Sequence, residues 1–283
     1  MKTRAWLEFC QEVAADVRGL LHELPSRDDR EPVVGRGKGG DDTTVLDDRA
    51  EGLVVERLQA LAARGLSFRL VSEELGERRF GDADSPWVVV VDPIDGSLNA
   101  KRSLPFFCLS IAFADGPRLD DVRFGYVLDF GSGEEWVAAA GEGATVSGRA
   151  LGGVRPKQRL GIVDLEATTA ALVAEAAARL DGHVGRIRVL GALALALCQV
   201  ADGRLDAVAS LKPSRSVDIA AAALIVREAG AHFETRDLDA MPLDLESRAH
   251  VVAARDRPMA QQLAGLLWPA NPPPESASGA AGP

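Results

Sequence analysis

The chain has 283 residues, of which 47% are hydrophobic and only 5% aromatic, so it is long enough for one large domain or two ordinary ones. Its formal net charge of −10 argues against nucleic acid or an anionic membrane as the main partner, but not against an anionic small substrate held through metal ions. Three cysteines without C-x-x-C spacing, a start unlike a signal sequence and the lack of a long apolar run predict a cytoplasmic protein with free thiols.

Two amphipathic helices are predicted in the first part of the chain. Apolar residues recur at helical spacing over 6–24 and again over 46–61, and Gly65 is expected to end the second helix. The glycine-rich, charged stretch 26–42 between them predicts a mobile loop.

Strands are predicted next. The segment 68–72 and the β-branched run 87–91 are typical of buried strands. Three short segments separated by glycine-rich turns then predict an antiparallel sheet, at 107–114, 122–129 and 135–140.

Around residue 150 the pattern changes to alternating helices and strands. Helices are predicted near 165–180, 192–201 and 217–229, with strands at 187–190 and 207–211 between them. The fold class is therefore α/β, and we divide the chain into an α+β half, an α/β half and a disordered Pro/Ala/Gly/Ser-rich tail, at 1–150, 151–268 and 269–283.

The most informative motif is Asp92-Pro93-Ile94-Asp95-Gly96-Ser97, directly after the buried strand. Two carboxylates in one stiff turn at the carboxyl end of a strand favour a hard metal ion between them. A solvated surface turn is the alternative, but such a turn rarely follows a buried strand. The aspartyl nucleophile of another phosphatase class is disfavoured, because that motif has one residue between its acids and this one has two.

Three further acids stand at the ends of predicted elements: Asp47, Glu73 and Asp218. Asp218 alone is more typical of an acid that stabilises a helix N-terminus than of a ligand. An all-oxygen set without His or Cys nearby selects Mg²⁺, or Mn²⁺, over zinc. Together with the central motif, these acids predict a magnesium site.

Several ordered segments carry a family resemblance: 71–76, 87–97 with Asn99, Pro105, Ser110 and Ile111 in step after it, 218–221 and 228–230. On these segments the chain resembles the inositol monophosphatase family of metal-dependent phosphatases, over about residues 33–254. More narrowly, Val217 and Arg215 are similar to the archaeal-type branch, which includes enzymes that act on both inositol monophosphate and fructose 1,6-bisphosphate.

The resemblance implies a fold and a set of roles. The fold is a layered αβαβα sandwich, and the implied assembly is a homodimer. Asp47 and Ser97 orient and activate the attacking water, and the amides of Gly96 and Ser97 hold the phosphate. The implied metal ligands are the carboxylates of Glu73, Asp92, Asp95 and Asp218 with the carbonyl of Ile94, and the implied substrate side is Arg188, Gly191 and Ala192.

The sequence therefore predicts a Mg²⁺-dependent phosphomonoesterase that uses a metal-activated water on a small phosphorylated polyol or sugar. Inositol-preferring relatives carry an acid shortly before the closing Asp, whereas this chain has Lys212 and Arg215 there, which favours a second phosphate on the substrate. The alternatives are another small phosphate, such as a phosphonucleotide or histidinol phosphate, and a non-catalytic family member that binds ligands.

Overall fold

A computed structural model describes residues 3–38, 40, 42–152, 159–167, 169–238 and 240–269. Beyond residue 269, the predicted disordered tail lies outside the described residues. The helices are α1 (Thr3–Glu23), α2 (Arg27–Arg30), α3 (Val45–Ala63), α4 (Ser97–Lys101), α5 (Ala170–Leu180), α6 (Leu193–Ala201), α7 (Ser216–Glu228) and α8 (Arg257–Leu267). None of these described helices is both long and apolar enough to cross a bilayer.

The described strands form a short hairpin and two larger sheets. The strands are β1 (Val33–Arg36), β2 (Asp42–Thr44), β3 (Phe68–Ser72), β4 (Gly76–Phe80), β5 (Val88–Asp95), β6 (Cys108–Ala114), β7 (Val122–Asp129), β8 (Glu135–Ala139), β9 (Gly143–Val146), β10 (Arg149–Ala150), β11 (Ile162–Glu166), β12 (Arg186–Arg188), β13 (Ala207–Ser210), β14 (His232–Thr235) and β15 (Val251–Ala254).

The first sheet has eight strands in the order β10-β9-β8-β7-β6-β5-β3-β4. Its pairs are antiparallel except β3 and β5, which run parallel with Ser72 opposite Val91. Every residue of β5 is buried, as its unbroken apolar run predicts. The parallel pair places the ends of β3 and β5, and the acids that follow them, at one edge.

The second sheet has five strands in the order β12-β11-β13-β15-β14. Here β11 is parallel to both β12 and β13, while β15 is antiparallel to its neighbours. This sheet thus has its own set of parallel carboxyl ends, at which ligands are commonly bound.

The helices and sheets form five layers, and three clusters of buried apolar residues lie between them. Helices α1 and α3 cover one face of the eight-stranded sheet, α6 and α7 fill the space between the sheets, and α5 and α8 cover the outer face of the second sheet. The central helices are rich in alanine and almost wholly buried, because small side chains let helices pack closely between two sheets. The expected αβαβα sandwich is confirmed, whereas the division at residue 150 into separate halves stays a prediction.

Two boundaries from the sequence were wrong. The predicted helix over 165–180 begins too early, because Ile162–Glu166 is strand β11 and the Thr169 hydroxyl caps a helix that starts at Ala170. The predicted loop 26–42 contains α2, which Ser26 and Asp29 cap reciprocally, and the β1–β2 hairpin. In the first place the alanine-rich sequence after β11 favoured a helix over the whole stretch, and in the second a capped turn and two short strands lie in charged, glycine-rich sequence.

Candidate active site

The central motif lies on a bulge in the pairing of β5 with β6. Asp92 lies opposite Ser110 and Asp95 opposite Cys108, so Pro93 and Ile94 together face one partner residue. In a regular strand, residues three apart point to opposite faces. The bulge cancels that alternation, and Asp92 and Asp95 line the same cavity.

Three carboxylates from different elements converge beside this bulge. Ligand oxygens of Glu73, Asp92 and Asp218 lie within 4.8 Å of one another. Burial raises the pKa of Glu73 to about 7, with the neighbouring Asp218 adding to the effect and Arg215 opposing it. Burial also raises the pKa of Asp92 well above its usual value, and Glu73 adds to that shift. Such mutual repulsion in a buried place is the condition that a divalent cation relieves, so this oxygen-only set fits Mg²⁺ or Mn²⁺.

Asp95 lies to one side of this convergence. Its Oδ2 atom accepts the backbone N–H of Ala194 at 2.7 Å, so it caps the start of α6. Burial raises the pKa of Asp95 well above its usual value, and the charge of Asp218 raises it further. Asp95 and Ile94 both line the larger cavity described below, but only three of the four predicted carboxylate ligands meet at one point.

Arg215 lies among the predicted metal ligands. Its guanidinium is 2.6 Å from Glu73 Oε1 and 3.4 Å from Asp218 Oδ1, and its backbone N–H donates to Asp218 Oδ2 at 2.9 Å. One guanidinium does not balance three carboxylates, so the cluster still fits a divalent cation with Arg215 in place. The contacts of Arg215 with Glu73 and Asp218 favour a role in shaping the cluster over contact with a distant second phosphate.

Asp47 and Ser97, the predicted water-activating pair, line one small cavity of about 120 Å³ together with Glu73 and Asp92. Asp47 lies in the first turn of α3, where the Thr44 backbone N–H and hydroxyl donate to its Oδ2 at 3.1 and 2.7 Å. Ser97 is half-buried and begins α4. The pair therefore faces the same space as two of the three converging carboxylates.

Gly96 is required by its surroundings. It has φ +85°, and a Cβ there would lie 2.9 Å from the Ala192 Cβ and 3.0 Å from the Gly191 carbonyl oxygen. The Asn99 side-chain amide links the same two segments by donating to the carbonyls of Phe106 and Leu190, both at 2.8 Å. The start of α4 and the start of α6 are thus held against each other.

A larger cavity of about 390 Å³ opens from the acid cluster toward the second sheet. Of the predicted substrate-side residues, Gly96, Gly191, Lys212 and Arg215 line it, and Ala192 is buried directly behind. Arg188 is exposed at the end of β12, with its Nη1 donating to the neighbouring Ile187 carbonyl, and it lies outside this lining.

The sequence analysis did not predict two residues that line the site. Lys101 pairs with Asp47 and lines the smaller cavity, and Glu166 lines the larger one, where its Oε1 accepts the Gly191 N–H at 3.0 Å. Lys101 resembles any surface lysine in sequence, and Glu166 fell inside the wrongly predicted helix. A correct assignment of β11 would have placed Glu166 at a strand end, where ligand contacts concentrate.

Comparisons with known proteins match this architecture. The profile of the inositol monophosphatase family matches residues 4–271. A fructose-1,6-bisphosphatase/inositol-1-monophosphatase of Methanocaldococcus jannaschii is 30% identical over 271 residues, covering 93% of this chain and 99% of the relative. A bifunctional NADP phosphatase/NAD kinase of Methanococcus maripaludis is 26% identical over 92% of this chain but only 49% of the relative.

A solved structure shows the same fold. It is described as an inositol monophosphatase-fructose 1,6 bisphosphatase, and it is 28% identical to this chain with a TM-score of 0.79. The alignment covers 94% of this chain and the whole of that one.

Proposed function

We propose that this chain, which belongs to the inositol monophosphatase family, is a Mg²⁺-dependent phosphomonoesterase that hydrolyses inositol monophosphate, fructose 1,6-bisphosphate or both. The observation that carries the proposal is the convergence of Glu73, Asp92 and Asp218, three buried or half-buried carboxylates with ligand oxygens within 4.8 Å. Their mutual repulsion gives the protein a reason to hold a divalent cation there.

In this proposal Glu73, Asp92 and Asp218 hold the metal through their carboxylates, with Asp95 and the Ile94 carbonyl completing the set. When bound there, Mg²⁺, or Mn²⁺ in its place, would make a nearby water more acidic and would stabilise negative charge on the phosphate and the leaving oxygen. The protein supplies the fixed geometry, because the bulge in β5, the turn directly after β3 and the first turn of α7 present these groups.

Asp47 and Ser97 orient the attacking water, which reaches phosphorus in line with the leaving oxygen, so no covalent intermediate is needed. The backbone amides of Gly96 and Ser97 hold the phosphate. Gly96 supports this role because its missing Cβ lets the start of α6 approach within contact distance. The smaller cavity thus serves the water and the larger one the alcohol.

The wall of the larger cavity bears on the substrate. Besides the proposed metal ligands and Arg215, Lys212 and Glu166 line it, so it offers one ammonium and one further carboxylate. An ammonium suits a second phosphate and a carboxylate accepts hydrogen bonds from substrate hydroxyls. A phosphorylated polyol or sugar satisfies both groups, with Gly191 and Ala192 shaping the wall, whereas Arg188 lies outside the lining and is given no part in it.

A phosphonucleotide is the second candidate substrate, and histidinol phosphate is a third. The Methanococcus maripaludis relative supports the phosphonucleotide, because its name includes NADP phosphatase activity. The non-catalytic alternative is disfavoured, since every predicted metal and water position holds a chemically competent residue.

A phosphate-release screen tests the proposal. Purified protein is incubated with inositol 1-phosphate, fructose 1,6-bisphosphate, NADP, a nucleoside bisphosphate and histidinol phosphate, each with Mg²⁺, Mn²⁺ or a chelator. Release that requires the metal and is greatest for a polyol or sugar phosphate supports the proposal. Release only from nucleotides selects the second candidate, and metal-independent or absent release refutes the proposed chemistry.

A homodimer in the cytoplasm is the expected setting. Leu98, Leu104 and Val189 are 64%, 54% and 47% exposed, and Asn99 joins their two segments through its bond to the Leu190 carbonyl. Neighbouring exposed apolar side chains are typical of an interface between subunits. Light scattering of the purified protein, beside a Leu98→Glu/Leu104→Glu variant, tests this: a dimer that the variant turns into monomers supports it.

A further inference from the structure

Lys101 is a cation placed inside the acidic part of the site. It is the last residue of α4, and its Nζ lies 2.7 Å from Asp47 Oδ2. The exposed fractions of the two side chains are 12% and 8%. Because both are largely removed from water, the attraction between them is screened much less than that of a surface pair.

The contacts of Asp47 are one-sided. Lys101 Nζ, the Thr44 amide and the Thr44 hydroxyl all donate to Oδ2. Among the described residues, Oδ1 receives no such donor, although the carboxylate lines the small cavity. Three donors on one oxygen fix the plane of the carboxylate and leave the other oxygen for a ligand of the cavity.

Lys101 also contributes positive charge to the small cavity, whose lining is mainly acidic. The lining has one ammonium, that of Lys101, and five carboxylates: Asp42, Asp47, Glu73, Glu74 and Asp92. A metal held by the Glu73, Asp92 and Asp218 cluster compensates the acids on that side. The charge of Asp47 is compensated instead by the Lys101 ammonium.

We propose that Lys101 is a positioning residue and a resident cation: its ammonium fixes Asp47 and fills the place beside it that a dissolved cation would otherwise have to fill. The proposal rests on the proposed function, because it takes Asp47 as the group that orients the attacking water. It predicts that the wild-type enzyme needs no added monovalent cation on this side of the site, and that loss of the Lys101 charge creates such a need.

The test compares wild type, Lys101→Met and Arg102→Met. Arg102 is the matched control, since it lies next in the chain and its guanidinium pairs at the surface with Glu31. At saturating Mg²⁺ we expect Lys101→Met to lower kcat about 10- to 100-fold with little change in KM, as loss of nucleophile orientation does. Ammonium, methylammonium or K⁺ should restore part of that loss in Lys101→Met alone, and tetramethylammonium, which is too bulky, should not.

A second measurement does not depend on catalysis. In chelator, saturating ammonium or K⁺ should raise the Tm of Lys101→Met more than the Tm of wild type or Arg102→Met, because all three have the emptied carboxylate cluster and only the first has a further cation place beside Asp47. If wild type hydrolyses no substrate, the proposed function fails while this thermal test still decides on Lys101. Lys101→Gln keeps a donor without the charge and replaces Lys101→Met if that variant does not fold.

Two results would overturn the proposal. One is a Lys101→Met or Lys101→Gln variant with wild-type kcat and no response to monovalent cations. The other is a Tm response to ammonium or K⁺ that is equal in all three proteins, since a general salt effect would then account for it.

Discussion

Each sheet carries buried or half-buried acids near the carboxyl ends of a parallel strand pair, but the negative charges of the two groups are compensated differently. Beside β3 and β5, Glu73 and Asp92 converge with Asp218 around a place that suits a cation. Beside β11 and β13, the Asp164 and Glu166 side chains accept the backbone N–H groups of Leu190 and Gly191 at 3.1 and 3.0 Å.

The two groups differ in what compensates their negative charge. Burial, with the charge of Glu166 adding to it, raises the pKa of Asp164 to about 9, so this carboxyl carries a proton at neutral pH. Asp164 and Glu166 are thus compensated by backbone donors and a proton, while the first group has three carboxylates with ligand oxygens within 4.8 Å of one another, an arrangement that fits a metal ion. The two groups therefore differ in that a carboxylate from a third element, Asp218 of α7, joins the first.

The largest effect is expected from removing a charge in the first group. Asp92→Asn should lower kcat by about 10³-fold or more, because a charged ligand and part of the electrostatic stabilisation are lost together. The Tm of the metal-free variant should hold or rise, since the repulsion with Glu73 is relieved.

Kinetics at saturating Mg²⁺ and thermal melts in chelator measure both effects. Asp120→Asn, which removes an exposed acid paired with Arg227, is the control and should match wild type. Wild-type turnover in Asp92→Asn would break the comparison, because the first group would then be no more metal-dependent than the second.

Removing the Ser97 hydroxyl should have the next largest effect. Ser97→Ala should lower kcat by about 10²-fold while Mg²⁺ affinity changes little, because the hydroxyl orients the water rather than holding the metal. Single-turnover kinetics beside calorimetric Mg²⁺ titration separate the two quantities. A variant that loses metal affinity and keeps its kcat would instead place Ser97 among the ligands.

The second group is expected to act on substrate choice. Glu166→Gln should lower kcat/KM for inositol 1-phosphate by about tenfold, because a weaker acceptor meets the substrate hydroxyls. The same variant should leave hydrolysis of p-nitrophenyl phosphate, which has no such hydroxyls, near wild type. Equal losses on both substrates would show that Glu166 serves the shared phosphate or metal and belongs with the first group.

The smallest effect concerns Asp164 and pH. Its folded-state pKa is raised from 3.8 to about 9, so the stability it contributes is full below about pH 4 and is lost as pH rises toward 9. Asp164→Asn, which cannot ionise, should therefore lose less Tm than wild type between pH 5 and 9, by about 2–4 °C or more.

Melts of the metal-free proteins in matched buffers measure this difference, with the exposed Asp84→Asn as the control. Parallel curves for wild type and Asp164→Asn would mean that Asp164 is ionised in the folded protein. The two acid groups would then share one kind of compensation.

The sequence predicted the elements that carry strong patterns. The apolar run before Asp92 became β5, and the spacing of apolar residues located α1, α3, α6 and α7 within a few residues. The αβαβα order came from the family resemblance, because sheet order depends on long-range pairing that periodicity does not encode.

The sequence could not predict where the site side chains point or which distant residues they contact. The bulge at Pro93 and Ile94 decides where Asp92 and Asp95 point, and it arises from register with β6. The contact of Lys101 with Asp47 joins two helices that are far apart in the chain, so no local signal announces it. Glu166 was hidden because the alanine-rich sequence after it favoured a helix over the whole stretch.

Helix α7 has a consequence for how the protein folds. By sequence it belongs to the second half, yet it packs on β5–β8 of the first, and at its end Glu228 accepts the N–H groups of Gly141 and Gly143, both at 2.9 Å. Neither half alone would cover its apolar surface, so we expect one cooperative unfolding transition rather than two. Since Asp218 begins this helix while Glu73 and Asp92 lie in the first half, bound Mg²⁺ would act as a reversible cross-link between the halves, raising the midpoint of that single transition with metal concentration.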